Sequence, residues 1–274
     1  MKVFVVTRVR KLEARLLPRG LFDVVRQIAL FGGLYWGYRL VRGAVDGKAA
    51  TAFANARDLI SIERATHTFV EPSLQAWAIG KSGIMVVANW LYLNSQFSIA
   101  LGILLFIYFF HNGAFYFLRN MMLVSMALAL VGYLLLPTAP PRFLPEWGFT
   151  DTVSAATGVA QDSTAVNAFF NPFAAVPSMH CAFALMLGWT LARLVKYRAA
   201  KWFWTFYPFC VMFAVVVTAN HYWLDALLGA LVAGLSWVAA YELGRARPAA
   251  WSFRTGGLAA EPLSPEPLGA KAPA

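Results

Sequence analysis

The chain has 274 residues, 59% of them hydrophobic, 15% aromatic and 13% charged, with a formal net charge of +10. Soluble domains carry about 25% charged residues, so this composition excludes an ordinary soluble domain and fits a chain with bilayer-length apolar runs. Nucleic-acid binding is excluded as the source of the positive charge, because the basic residues fall in short clusters between the apolar runs.

Residues 1–20 are basic and amphipathic. They look like the start of a signal peptide, but no small-residue cleavage site follows. The segment is expected to stay in the mature chain and to lie on an anionic cytoplasmic membrane surface. Six spans are predicted after it, over roughly 24–41, 84–110, 119–136, 179–196, 202–220 and 222–243. The first is the weakest, since Arg26 and Arg39 must snorkel. The second is long and polar near its middle, so a tilt or break is expected near Asn94–Gln96.

With the N-terminus inside, fifteen Lys and Arg fall on the cytoplasmic side, Arg119 among them, and six on the other, which predicts both termini in the cytoplasm. Residues 50–80 carry helical periodicity with mixed charge and read as one or two amphipathic helices at the outer interface. Residues 137–177 form a long outer loop of the kind that carries function or disorder. Residues 244–274, rich in Pro, Ala and Gly, read as a disordered cytoplasmic tail. The fold class expected is therefore all-α: a six-transmembrane-helix bundle over 21–243 with an outer interfacial amphipathic helix. Cys181 and Cys210 lie in apolar runs and read as small buried hydrophobes.

Two of the four histidines carry the chemical argument. His180 opens the fourth span, which descends for about 24 Å; a basic turn follows, and the fifth span climbs about 30 Å. His221 thus returns to the level of His180, on the outer side, where Arg142 also lies. His221 and Asp225 are spaced i,i+4 and are neighbours on a helix, so the carboxylate can keep one imidazole nitrogen protonated and leave the other free to attack. Pro177 suits the first turn of a helix. The backbone N–H groups at that start, beginning with Met179, and the Ser178 hydroxyl form an anion pocket. Arg142 can clamp the same anion with its planar fork. An anion pocket, a cation, a nucleophilic His–Asp pair and a second His as proton donor describe phosphoryl transfer.

The remaining polar residues receive plainer readings. His111 is read as an interfacial anchor, His67 as a surface or interfacial side chain, and Glu71 and Gln75 as solvated residues sharing a face with His67. Asn89 and Asn94 are expected to make interhelical hydrogen bonds. No cofactor is implied: the sequence has no Cys/His cluster at metal-ligand spacing, no phosphate-binding glycine loop and no acidic cluster for Mg²⁺.

Pro177-Ser178-Met179-His180 and His221-Tyr222-Trp223-Leu224-Asp225 resemble motifs of the type 2 phosphatidic acid phosphatase superfamily. The resemblance implies a metal-independent membrane enzyme with a six-helix core. It implies His221 as the nucleophile that forms a phosphohistidine, Asp225 as its orienting partner and His180 as the acid for the leaving group. The sequence departs from the usual pattern at two cationic motifs. Arg142 is followed by Phe143 rather than Pro, with Leu135 seven positions before it, and Ala214 and Val215 stand where Ser-Arg is usual. The set PTAPPR, NPFAAVPSMH and TANHYWLDALLG is similar instead to the inositol phosphorylceramide synthase-like branch. The expected function is a membrane lipid phosphatase or phosphotransferase on the outer face of the plasma membrane. Its partners are a lipid phosphate substrate and membrane lipids, with water or a polyol as acceptor. The rivals are a non-enzymatic lipid-binding or scaffold protein of the same fold and a transporter, which would need ionisable residues at mid-membrane.

Overall fold

The computed structural model describes residues 17, 19–45, 49–160 and 173–248. Most of the expected surface segment, most of the expected tail and residues 161–172 of the outer loop lie outside the described residues. Those described are helical, with no strand beyond one isolated bridge between Thr138 and Ala174.

In chain order the helices are α1 (Leu21–Val45), α2 (Ala49–Ala65), α3 (Glu71–Ile79), α4 (Ser82–Asn94), α5 (Ala100–Phe110), α6 (Asn112–Leu135), α7 (Thr152–Thr157), α8 (Met179–Leu194), α9 (Arg198–Val217) and α10 (Trp223–Ala246). A single π-turn, Ser95–Ile99, joins α4 to α5, so the second apolar run is one continuous stretch of 29 residues. Four stretches are long and apolar enough to cross a membrane: Ser82–Phe110, α6, α9 and α10. Helix α8 is apolar but has only 16 residues, about 24 Å, and α1 is diluted by Asp23, Arg26, Gln27 and Arg39. Exposed Trp90, Phe106, Trp189, Phe206, Phe209 and Leu231 add an outward apolar surface that a soluble protein would not carry. This is a membrane protein.

Helix α8 is the centre of the bundle, packed against α6, α9 and α10. Between helices in lipid there is little hydrophobic driving force, and close approach through small residues takes over. A Cβ on Gly188 of α8 would come 2.6 Å from the Trp204 carbonyl of α9, the carbonyl that Pro208 leaves without its usual i+4 donor. A Cβ on Gly132 of α6 would meet Pro177 Cδ at 2.8 Å, and one on Gly229 of α10 would meet the Ser178 carbonyl at 2.2 Å. Two of these three contacts seat the residues just before α8.

Helix α6 begins seven residues before Arg119, which corrects the expectation of Arg119 as a flanking residue. The side chain is fully buried. Its guanidinium donates to Gln27 Oε1 at 3.1 Å and to Asn120 Oδ1 at 3.1 and 2.6 Å. Gln27 and the hydroxyls of Tyr108 and Tyr116 donate to Asp23 at 2.9, 3.1 and 2.6 Å. This network ties α1 to α5 and α6.

At the other end, α2 and α3 are packed into the molecule. Ala52, Ala56 and Ile60 share a cluster with Leu144, Phe149, Val176 and Tyr222. Asn55 donates to the Pro137 carbonyl at 2.7 Å. Gln75 exchanges two hydrogen bonds of 2.9 Å with the backbone of Thr150. Glu71 and Gln75 are therefore buried, not solvated, and His67 does not share their face: it is an exposed turn residue with φ of 57° between α2 and α3. Asn89 is paired as expected of a buried amide, with Thr152 of α7. Asn94 bonds only its own helix, at Trp90 O. Cys181 is buried, while Cys210 is exposed.

Candidate active site

The link between α9 and α10 sets the first histidine. Thr218 follows α9, and Ala219, with φ of 54°, turns the chain. The N–H groups of Asn220 and His221 both donate to the Val215 carbonyl, at 3.0 and 3.1 Å, which fixes the link against the end of α9. His221 Nδ1 lies 3.1 Å from Ala175 O and 3.2 Å from Asp225 Oδ2. Both partners are acceptors, so Nδ1 carries the proton and Nε2 holds the lone pair. Burial pushes the His221 imidazole down to about 3, and the Arg142 charge adds to this, while Ala175 O opposes it. The ring is thus neutral at ordinary pH, the form in which Nε2 is a nucleophile.

His180 enters from α8. Ser178 is the N-cap, its hydroxyl accepting from Cys181 N at 3.4 Å, and its own N–H donates to the Asp225 carbonyl at 3.0 Å. One residue into the helix, His180 points its Nδ1 at His221 Nε2, 3.3 Å away. Its ring stacks on Tyr92 of α4, with centroids 4.7 Å apart and planes 27° apart. His180, His221 and Asp225 therefore form one continuous line of contacts.

Arg142 sits in a short 3-10 turn, Pro141–Phe143. Its N–H donates to Ala219 O at 2.8 Å, its guanidinium donates to Asn220 Oδ1, and its Cζ lies 4.7 Å above the Phe143 ring. Asn220 is itself held by Thr218, at 2.9 and 3.0 Å. Because Asn220 precedes His221, this chain of bonds carries the guanidinium to the His221 turn. Arg142 Nε is buried with no partner among the described residues.

All six residues expected at the site thus meet at the N-terminal end of α8. Met179 contributes its backbone there; its side chain is buried in the core. Ser178 is fully buried, and with its oxygen capping α8 its O–H remains as the donor. The sequence reading missed Asn220 as the holder of Arg142, Tyr92 as the platform for His180, and Glu63. Asn220 lies inside the quoted TANHYWLDALLG stretch, next to His221, and that adjacency was its one available signal. Among the described residues no group of three His, Cys, Asp or Glu side chains is arranged to hold a metal ion.

The sequence pattern of the PAP2 superfamily matches residues 57–239, about two-thirds of the chain, including every site residue above and leaving out α1. No curated protein and no solved structure matches the chain. PAP2 superfamily members are membrane-associated phosphatases, so the match implies phosphatase or phosphotransferase activity on lipid substrates. Buried His-His-Asp geometry, apolar helices and the extent of the match agree: this chain belongs to the PAP2 superfamily.

Proposed function

We propose that the protein is a metal-independent lipid phosphatase or phosphotransferase that works through a phosphohistidine at the extracytoplasmic face of the plasma membrane. In this reading residues 21–243 are a six-span catalytic domain, with α1 and α8 as the two spans beyond the four stretches that are both long and apolar enough to cross a membrane. Residues 1–20 and 244–274 are cytoplasmic. The phosphoryl group of a phospholipid or polyprenyl phosphate lies among Arg142, the Ser178 hydroxyl, the first amides of α8 at Met179 and His180, and the two histidines. His180 moves off His221 Nε2 as the group enters. His221 Nε2 gives its lone pair to phosphorus, the P–O ester bond breaks, and the leaving oxygen takes a proton from His180. Water or an alcohol then attacks phosphorus and loses its proton to His180. The P–N bond breaks, and its electron pair returns to Nε2. Asp225 holds the Nδ1 proton and stabilises the charge on the ring throughout.

The carrying observation is the unbroken line from Asp225 through His221 to His180, at 3.2 and 3.3 Å. The flanking motifs, similar to those of the inositol phosphorylceramide synthase-like branch, favour transfer to a polyol over hydrolysis. The test is turnover by purified protein with phospholipid and polyprenyl phosphate substrates. His221→Ala and His180→Ala are expected to lose it, and retained turnover in either would sink the mechanism; no turnover by the wild-type protein would leave a lipid-binding role. Mass spectrometry of the products with and without free polyols separates released phosphate from a new phosphodiester. Topology is tested separately: a cysteine introduced within 150–160 is expected to react with an impermeant thiol reagent in whole cells, and labelling only after lysis would invert the orientation.

A further inference from the structure

Helix α10 has no side-chain cap of its own; its N-cap residue is Tyr222. Two of the orphan amides at its start are instead held from far away in sequence. Trp223 N–H donates to Glu71 Oε1 at 3.1 Å, and Leu224 N–H donates to Glu63 Oε1 at 3.3 Å. Glu63, from the last turn of α2, and Glu71, from the first turn of α3, are both fully buried. The second oxygen of each, Oε2, meets no N–H or O–H donor among the described residues, and the Glu71 carboxyl lies close enough to Glu63 to share a proton with it. Two carboxyl oxygens can bond only with a proton between them. Burial, with the neighbouring Glu71 carboxylate adding, pushes Glu63 up to about 9, so at neutral pH Glu63 holds a proton.

The amides so held belong to the turn that carries the chemistry. His221 lies two residues before Trp223, and Asp225 follows Leu224 directly. The Asp225 carbonyl, in the same turn, accepts Ser178 N–H at 3.0 Å and so registers α8 against α10. We propose that Glu63 and Glu71 form a carboxyl clamp of positioning residues: through the amides of Trp223 and Leu224 they hold His221 and Asp225 in register with His180. This rests on the phosphohistidine reading for its catalytic consequence, but not for its geometry.

The test uses the full chain in nanodiscs, with Glu63→Gln, Glu63→Asp, Glu71→Asp and Glu71→Ala. Three readouts are taken: thermal unfolding, kcat with KM, and ¹⁵N-histidine NMR of His221, identified among four histidines by its loss in His221→Ala. Gln copies the shape and donor of a protonated carboxyl, whereas Asp is one methylene too short to reach both the amide and its partner. Glu63→Gln is therefore expected to keep at least about a third of kcat, while either Asp variant loses about tenfold or more in kcat with KM within about twofold. In the Asp variants His221 passes from a single Nδ1–H tautomer to a mixture. Glu71→Ala shows the same change more strongly; should it fail to fold, the Gln-against-Asp order still decides. Asp variants equal to or better than Gln, or an unchanged His221 resonance in folded Asp variants, would overturn the clamp. Since the NMR readout needs no turnover, that failure is distinct from failure of the phosphohistidine reading, which would appear as retained turnover in His221→Ala.

Discussion

Two groups of buried polar side chains sit about 20 Å apart along α6, one near Arg119 and one beyond Gly132, and they are finished differently. Around Arg119 every nitrogen of the guanidinium is bonded, and Asp23 accepts from Gln27, Tyr108 and Tyr116. Around His221, Arg142 Nε and Asp225 Oδ1 are buried with no partner among the described residues. Buried polar atoms are nearly always paired, so a closed network is an anchor, and a network with open valences marks chemistry. Both groups are costly in an apolar setting. One is repaid within the fold by its own hydrogen bonds, and the other leaves a donor and an acceptor open, as the proposed phosphoryl site requires.

That contrast breaks most cleanly with one substitution in each group. Asp225→Asn is expected to lower kcat by about 10²–10⁴ through loss of the correct His221 tautomer, with the melting temperature little changed. Arg119→Ala is expected to do the reverse. Leaving Gln27 and Asn120 without their donor costs about 2–3 kcal/mol of stability, read as a lower melting temperature, while kcat of the folded fraction stays within about twofold. Equal effects of the two on turnover would erase the distinction.

A smaller effect is expected from Gly229→Ala. Its methyl would meet the Ser178 carbonyl at 2.2 Å, so α8 and α10 must part at the histidines, and kcat is expected to fall about 10²-fold. Gly234→Ala, with open space at its Cβ, is the matched control. Next comes Asn220→Ala, which frees the Arg142 guanidinium from its anchor; KM is expected to rise about tenfold, with a lesser change in kcat.

The smallest concerns pH and stability. The Glu63 carboxyl is raised from its ordinary 4.5 to about 9, so the folded state holds that proton more tightly than the unfolded state. The resulting stability is full below about 4.5 and is lost as pH rises through about 9. Glu63→Gln is expected to flatten the fall in melting temperature over that window, measured at pH 6, 7.5 and 9. A steeper fall would mean that Glu63 is the ionised member of the pair.

The helices were legible because apolar run length is a local property. The structure has helices over all six predicted segments, and α8 starts at the expected residue, Met179. The His180–His221 meeting was legible too, because run lengths alone bring the chain back to one level. Arg119 misled because an arginine reads as a segment boundary until its partners, Gln27 and Asn120, are known. Glu71 and Gln75 misled for a related reason: mixed charge reads as solvation, whereas their partners, Trp223 N and Thr150, lie 152 and 75 residues away. Nothing local marks a carboxylate that caps a helix from another part of the chain. The stacking of Tyr92 on His180 was hidden in the same way.

The π-turn at Ser95–Ile99 has a consequence for register. Buried positions along this stretch fall at Met85, Ala88, Asn89, Ser95, Ala100, Ile103, Ile107 and Tyr108. The step from Ser95 to Ala100 is five residues, where an α-helix keeps a stripe on one face with steps of three or four. The wide turn absorbs the extra residue and lets Tyr92 reach His180 while Ile103 and Ile107 stay in the core. Removing one residue between 95 and 99 would leave span length and apolarity almost untouched. It would also rotate everything before the deletion by about 100° relative to everything after it, swinging Tyr92 away from the histidine or the aliphatic stripe out of the core. The π-turn thus ties the lipid-facing surface of one half of this helix to the Tyr92–His180 stacking of the other.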